Sequence, residues 1–143
     1  PYTFGPNGEV PAYDANHATD KEIRAAYVDQ VKFVDKEILK VVDALISRSK
    51  TPPVIIIQGD HGPLYDITVN PRYRMPILNA YYLPGIQMDK VLYPSISPVN
   101  SFRVVLNSYF NQKLPLLEDK SYFAETENRS DFRLMPNTCP DTP

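Results

Sequence analysis

Between positions 23 and 45 the apolar residues Ile23, Tyr27, Val31, Val34, Ile38, Val41, Val42 and Leu45 recur at spacings of three and four, with Lys21, Arg24, Lys32, Asp35, Lys36 and Asp43 between them. That period places the apolar set on one stripe of a helix. Thr19-Asp20-Lys21-Glu22 precedes it and fits the capping box, so the helix is predicted to start there. Thr51-Pro52-Pro53 stops it near Arg48, because proline disfavours the helical conformation in the residue before it. The pattern then changes. Val54-Ile55-Ile56-Ile57-Gln58 is a continuous β-branched run without alternation, predicting a strand buried on both faces, as in the centre of a parallel sheet. Met75 to Leu83 predicts a second strand, entered at Pro76 and closed by Pro84-Gly85. Ser97-Pro98 offers an N-cap residue followed by proline at the first helical position, and Val99, Phe102, Val105, Leu106 and Tyr109 carry a short helix onward to about Asn111.

The remaining stretches lack a period. Residues 1 to 18 read as a loop with a turn at Asn7-Gly8, and the chain from about Glu127 onward reads as extended or disordered. The sequence therefore divides into 1–123, an α/β portion, and 124–143, a tail. Fifteen prolines against five glycines agree with this, since prolines are excluded from helix interiors and central strands and must punctuate the elements.

Charge removes several function classes. Fifteen basic residues face 17 acidic ones for a net charge of −2, with no basic cluster, so there is no electrostatic footprint for nucleic acid or an anionic membrane. No apolar run reaches the roughly 18 residues of a spanning helix. Cys139 is the single cysteine, which excludes an internal disulfide and a cysteine-based metal site. Asn128-Arg129-Ser130 matches the glycosylation sequon, a short pattern that often arises by chance.

One motif carries chemistry. Gly59-Asp60-His61-Gly62 follows the apolar strand at its carboxyl end, where ligand sites lie in open α/β sheets. A carboxylate and an imidazole side by side suit a divalent metal ion, provided the glycines let the loop kink and further ligands come from elsewhere. The competing reading is that Asp60 caps a turn and His61 is solvated or bonded to a carbonyl. Arg72 and Arg74 are candidate forks for a phosphate or sulfate, against the alternative that they are solvated or pair with Asp66. His17 is the only other histidine, in a polar loop, and a weak substrate-binding candidate.

The series of elements matters more than any one of them. A helix with Tyr27, Val31 and Asp35, a strand ending in Gly59-Asp60-His61-Gly62, the segment Arg74-Met75-Pro76 leading to Pro84-Gly85, and a helix opened by Ser97, Val99 and Asn100 occur in that order. This order resembles the last third of the sulfatase-like branch of the alkaline phosphatase superfamily, over about residues 20 to 123. It is most similar to the bacterial lipoteichoic acid synthase and phosphoglycerol transferase group. The family pattern has Ser-x-Val-Asp where this chain has Asn100.

The resemblance implies a partial alkaline-phosphatase-like α/β fold, a mostly parallel sheet with flanking helices, forming the C-terminal fragment of a larger domain. It implies that Asp60 and His61 are metal ligands for one divalent ion, Mn, Mg, Ca or Zn. It places no catalytic nucleophile in this chain, that residue being expected upstream together with the other acidic ligands. The implied substrates are small-molecule, lipid or glycan phosphate or sulfate esters, acted on by hydrolysis or by phosphoryl or phosphoglycerol transfer. The implied partner is the rest of a parent chain, membrane-anchored with this domain outside the cytoplasm, the fragment itself being soluble. A fragment of this kind leaves a sheet edge and an apolar face uncovered and open to self-association. The alternative is a non-catalytic α/β binding or interaction module with a degenerate site.

Overall fold

A computed structural model describes residues 7–9, 18–63, 71–124 and 130–137. The chain forms two compact units, Pro1–Pro53 and Val54–Pro143.

The first unit is built on helix α1, Asp20–Arg48. Both arms of the capping box are made: the Glu22 backbone N–H donates to the Thr19 hydroxyl, and the Glu22 carboxylate accepts the Thr19 backbone N–H at 2.8 Å. These bonds satisfy donors that a helix start otherwise leaves open. Asp20 and Glu22 in the first turn and Arg48 in the last oppose the helix dipole favourably. The predicted turn at Asn7-Gly8 is present. Gly8 has φ +87° and lies so close to the Phe33 ring that a Cβ would sit 3.0 Å from it. No residue of α1 is buried, and Leu39 and Val41 are well exposed.

The second unit holds every strand among the described residues. Strand β1, Ile55–Gln58, pairs antiparallel with β2, Asn79–Tyr82, and β3, Ser121–Ala124, pairs antiparallel with β4, Phe132–Met135. Among the described residues it also holds α2 over Met88–Val91, α3 over Pro98–Tyr109 and a 3-10 helix over Pro71–Arg74. The fold is thus mixed helix and strand, α/β in the broad sense, but the mostly parallel sheet is corrected to two two-stranded antiparallel ones. The reason is that an unbroken apolar run reports burial without reporting strand direction. Ile55, Ile56 and Ile57 are in fact half-buried. The segment from Gln58 to β2 carries, among its described residues, only a 3-10 helix over Pro71–Arg74, not the crossover helix that a parallel connection needs.

Leu83, Val104 and Val105 are the buried centre of this unit, with Ile56, Tyr81 and Ile86 packed around them. Leu83 enters the core because Pro84-Gly85 turns the chain sharply: Gly85 has φ +79° and the Ile86 N–H donates to the Leu83 carbonyl. Proline then a left-handed glycine is the signature of a type II turn. At the end of α3, Asn111 takes φ 51° and lets the Gln112 N–H reach the Leu106 carbonyl. Strand β4 lies within the stretch read as extended or disordered, and pairs in register with β3. Among the described residues no helix is long and apolar enough to cross a membrane.

Candidate functional site

The loop after β1 is pinned on both flanks. The Gly59 N–H donates to the Leu78 carbonyl at 2.9 Å, and the Gly62 N–H donates to the Arg74 carbonyl at 2.7 Å. Gly62 is buried, and a Cβ there would run into the carbonyl oxygens of Tyr73 and Pro76. It is glycine because another backbone passes against it. Neither Gly59 nor Gly62 takes positive φ, so close approach at Gly62, rather than a glycine-dependent kink, shapes this loop.

Between the pins, Asp60 and His61 turn toward one another. The Asp60 Oδ1 accepts the His61 backbone N–H at 3.0 Å, and Asp60 Oδ2 lies 3.4 Å from His61 Nε2. Nitrogen and oxygen donors bonded at about 2.1 Å to one tetrahedral ion stand about 3.4 Å apart. The pair therefore has the spacing of a two-donor bite. His61 Nδ1 is 2.8 Å from the Gly62 carbonyl and 3.1 Å from Arg74 Nη1. These contacts are mutually exclusive as hydrogen bonds. Nδ1–H donates to the carbonyl and leaves the Nε2 lone pair facing Asp60, whereas an Nδ1 lone pair accepts from Arg74 and puts the proton on Nε2. Only the first arrangement offers Nε2 to a metal.

Asp60, His61 and Arg74 line an open cleft of about 1250 Å³, together with Met88, Leu92 and Tyr122 among others. Arg74 comes into place because the 3-10 helix ends there and its carbonyl holds Gly62. Arg72, on the same helix, is half-buried and does not line the cleft. His17 and Asp66 lie outside the described residues. Among the described residues no group of three or more His, Cys, Asp or Glu side chains is placed to hold a metal ion.

Beside the cleft, Ser97 and Asn100, which open α3 in the sequence pattern, belong to a polar cluster with Tyr93, Leu117 and Asp119. Asn100 and Ser101 are fully buried in the first turn of α3. The Asn100 amide donates to the Tyr93 hydroxyl at 2.9 Å, the Leu117 carbonyl at 2.8 Å and Asp119 Oδ1 at 3.1 Å, while its own carbonyl accepts the Leu117 N–H at 2.9 Å. Asp119 also accepts from the Ser97 backbone N–H and from the Ser97 and Tyr93 hydroxyls. Ser97 thus occupies the N-cap position, but its side chain serves Asp119 and makes no cap bond. Burial pushes the Asp119 carboxyl up, yet the Ser97 and Tyr93 hydroxyls, the Ser97 N–H and the Asn100 amide outweigh it and hold the group below the usual carboxylate range. Burial, then donation to Asp119, pushes the Tyr93 hydroxyl up. Ser101 joins Tyr81 and Gln58, tying α3 to both strands of the first sheet. In the sequence Ser97 and Asn100 stand out only as the opening of a helix, and nothing there points to Tyr93, Leu117 or Asp119 as their partners.

No protein family, curated protein or solved structure matches the chain.

Proposed function

We propose that this chain is the C-terminal part of a metal-dependent, sulfatase-like hydrolase or phosphoryl or phosphoglycerol transferase acting on phosphate or sulfate esters, and that it supplies Asp60 and His61 to the metal site. The observation that carries the reading is the 3.4 Å separation of Asp60 Oδ2 and His61 Nε2 on the wall of an open cleft. The ordered series of motifs from Tyr27 to Asn100 supports it.

Asp60 contributes one carboxylate oxygen and His61 its Nε2, in the tautomer whose Nδ1–H is anchored on the Gly62 carbonyl. A divalent ion bound there lowers the pKa of a coordinated nucleophile and offsets charge on the ester oxygens. Arg74, beside His61, is placed to donate to an ester oxygen in the same cleft. The nucleophile and the remaining ligands come from elsewhere in the parent chain. That chain is membrane-anchored, with this domain outside the cytoplasm, in the reading that follows the resemblance.

The test is ester hydrolysis by the chain joined to its native upstream sequence, using p-nitrophenyl phosphate and p-nitrophenyl sulfate with Mn²⁺ or Zn²⁺. Metal-dependent turnover that Asp60→Ala and His61→Ala abolish is expected; turnover indifferent to both substitutions overturns the assignment. The second reading, a non-catalytic module with a degenerate site, draws on the 88% exposure of the Asp60 side chain and the absence of a third donor among the described residues. It requires no metal-dependent turnover in the longer protein.

A further inference from the structure

Asn7-Gly8 is the one Asn-Gly pair in the chain, and the ester chemistry above makes no use of it. The Asn7 backbone N–H donates to a Glu9 carboxylate oxygen at 3.0 Å, which folds the turn on itself. The Asn7 side chain meets α1, where Lys36 Nζ lies 3.2 Å from Asn7 Oδ1. An ammonium group can only donate, so the amide presents its carbonyl oxygen to Lys36, and a cation polarises that carbonyl. Lys36 stands 29 positions further along the chain, so the fold, rather than the local sequence, brings it here. Gly8 supplies the next backbone nitrogen, which closes a five-membered ring on the Asn7 side-chain carbonyl carbon. It has φ +87° and no Cβ to hinder that approach.

We propose that Asn7 is a site of covalent self-modification, its side-chain amide being converted to a carboxylate through ring closure by Gly8, with Lys36 stabilising the oxyanion that forms on Oδ1. The Gly8 nitrogen gives its proton to solvent and bonds to Asn7 Cγ, holding attacker and target in one turn. Negative charge then gathers on Oδ1, where the Lys36 ammonium already stands. The Cγ–Nδ2 bond breaks, and Nδ2 leaves as ammonia with a proton from solvent. Water opens the resulting succinimide. Cleavage between the Gly8 nitrogen and Cγ leaves aspartate at position 7, and cleavage at the main-chain carbonyl leaves isoaspartate. Either way one water enters and one ammonia departs, and no oxidant or other reactant is needed. The product adds one negative charge to a net of −2 and places it opposite Lys36. Isoaspartate also lengthens the main chain by one carbon at a turn where an added Cβ on Gly8 would already lie 3.0 Å from the Phe33 ring, so that form displaces Gly8 from Phe33. The inference is independent of the ester chemistry above.

The experiment is prolonged incubation of the 143-residue chain at pH 7, in buffer and in concentrated urea, with peptide mapping by mass spectrometry to follow replacement of the amide NH₂ by OH at each asparagine. Conversion at Asn7 is expected to outrun that at every other asparagine. Lys36→Met should slow it about twofold to fivefold in buffer, the range an exposed charge contact supports, and should have no effect in urea, where α1 no longer holds residue 36 near the turn. Lys36→Arg, which keeps a cationic donor, should restore most of the rate. Conversion at Asn7 no faster than at the other asparagines overturns the proposal. So does a Lys36→Met chain that converts in buffer as fast as the parent or faster, or one whose slowing persists unchanged in urea.

Discussion

Asn100→Asp introduces the residue that the resembled Ser-x-Val-Asp pattern carries, and the structure says that it should be costly here. Asn100 is fully buried, and its amide nitrogen donates to Asp119 Oδ1 at 3.1 Å. Replacing that nitrogen by a carboxylate oxygen sets two negative charges at the same distance, a repulsion of about 5 kcal/mol at an effective dielectric of 20. Taking up a proton is the cheaper escape. Holding an aspartate of ordinary pKa protonated at pH 7 costs about 4 kcal/mol, at about 1.4 kcal/mol per pH unit. Loss of the donations to Tyr93 and the Leu117 carbonyl adds about 1 kcal/mol. The variant should therefore lose about 5 kcal/mol at pH 7 and between about 2 and 3 kcal/mol at pH 5.

The sign of the pH dependence separates this account from simple misfit. In the variant the shared carboxyl pair has a folded pKa raised above the unfolded value, so stability falls as pH rises. In the parent chain Asp119 is depressed; its contribution is fully present above the ordinary value of 3.8 and is lost only as pH falls through the folded value. Urea unfolding followed by tyrosine near-UV circular dichroism at pH 5, 6 and 7 reads both. A penalty that does not change with pH, or one below about 1 kcal/mol at pH 7, would refute the reasoning.

Other consequences are simpler. Gly62→Ala should destabilise the second unit by about 3 kcal/mol or more, because the new methyl meets backbone carbonyls rather than yielding side chains; a urea midpoint within error of the parent's would contradict the close approach. Asp60→Ala and His61→Ala should each change stability by no more than about 0.5 kcal/mol, since both side chains are substantially exposed; a larger loss in the same unfolding assay would make the pair structural. The 143-residue chain alone should show no turnover of p-nitrophenyl phosphate or sulfate. Metal-dependent activity above background, lost in Asp60→Ala, would mean that the chain holds its own nucleophile.

What the sequence makes legible is what is local. Thr19 and Glu22 announce the start of α1 because a capping box is closed within four residues, and the three-and-four spacing from Ile23 to Leu45 carries the helix onward. The positions of β1, β2 and α3 follow from apolar runs bounded by proline and glycine. Strand direction is not local: three isoleucines state that a strand is apolar, not which neighbour it meets. β4 and its partner Ser121–Ala124 lie close in the chain, but neither stretch has an apolar run or a period that marks it as a strand. Asn100 is visible only as the opening of a helix, and Asp119 not at all, for another reason. A polar residue reads as a surface residue until its partners are placed, and Leu117, Tyr93 and Ser97 are brought together only by the fold. Asp60 and His61 stand out as neighbours in the chain, but the approach of Arg74 to His61 depends on a 3-10 helix ending against Gly62.

The central claim, that Asp60 and His61 form one half of a metal site, is tested most directly by imidazole ¹⁵N NMR of the chain titrated with Zn²⁺. His61 and His17 are the only histidines, so the two are readily separated by His61→Ala. His61 should carry its proton on Nδ1, Zn²⁺ should shift Nε2 alone, and Asp60→Ala should weaken the response. Binding should be weak, with most of the coordination sphere left to water. A His61 ring protonated on Nε2 and indifferent to Zn²⁺, or submicromolar binding through His61, would contradict it.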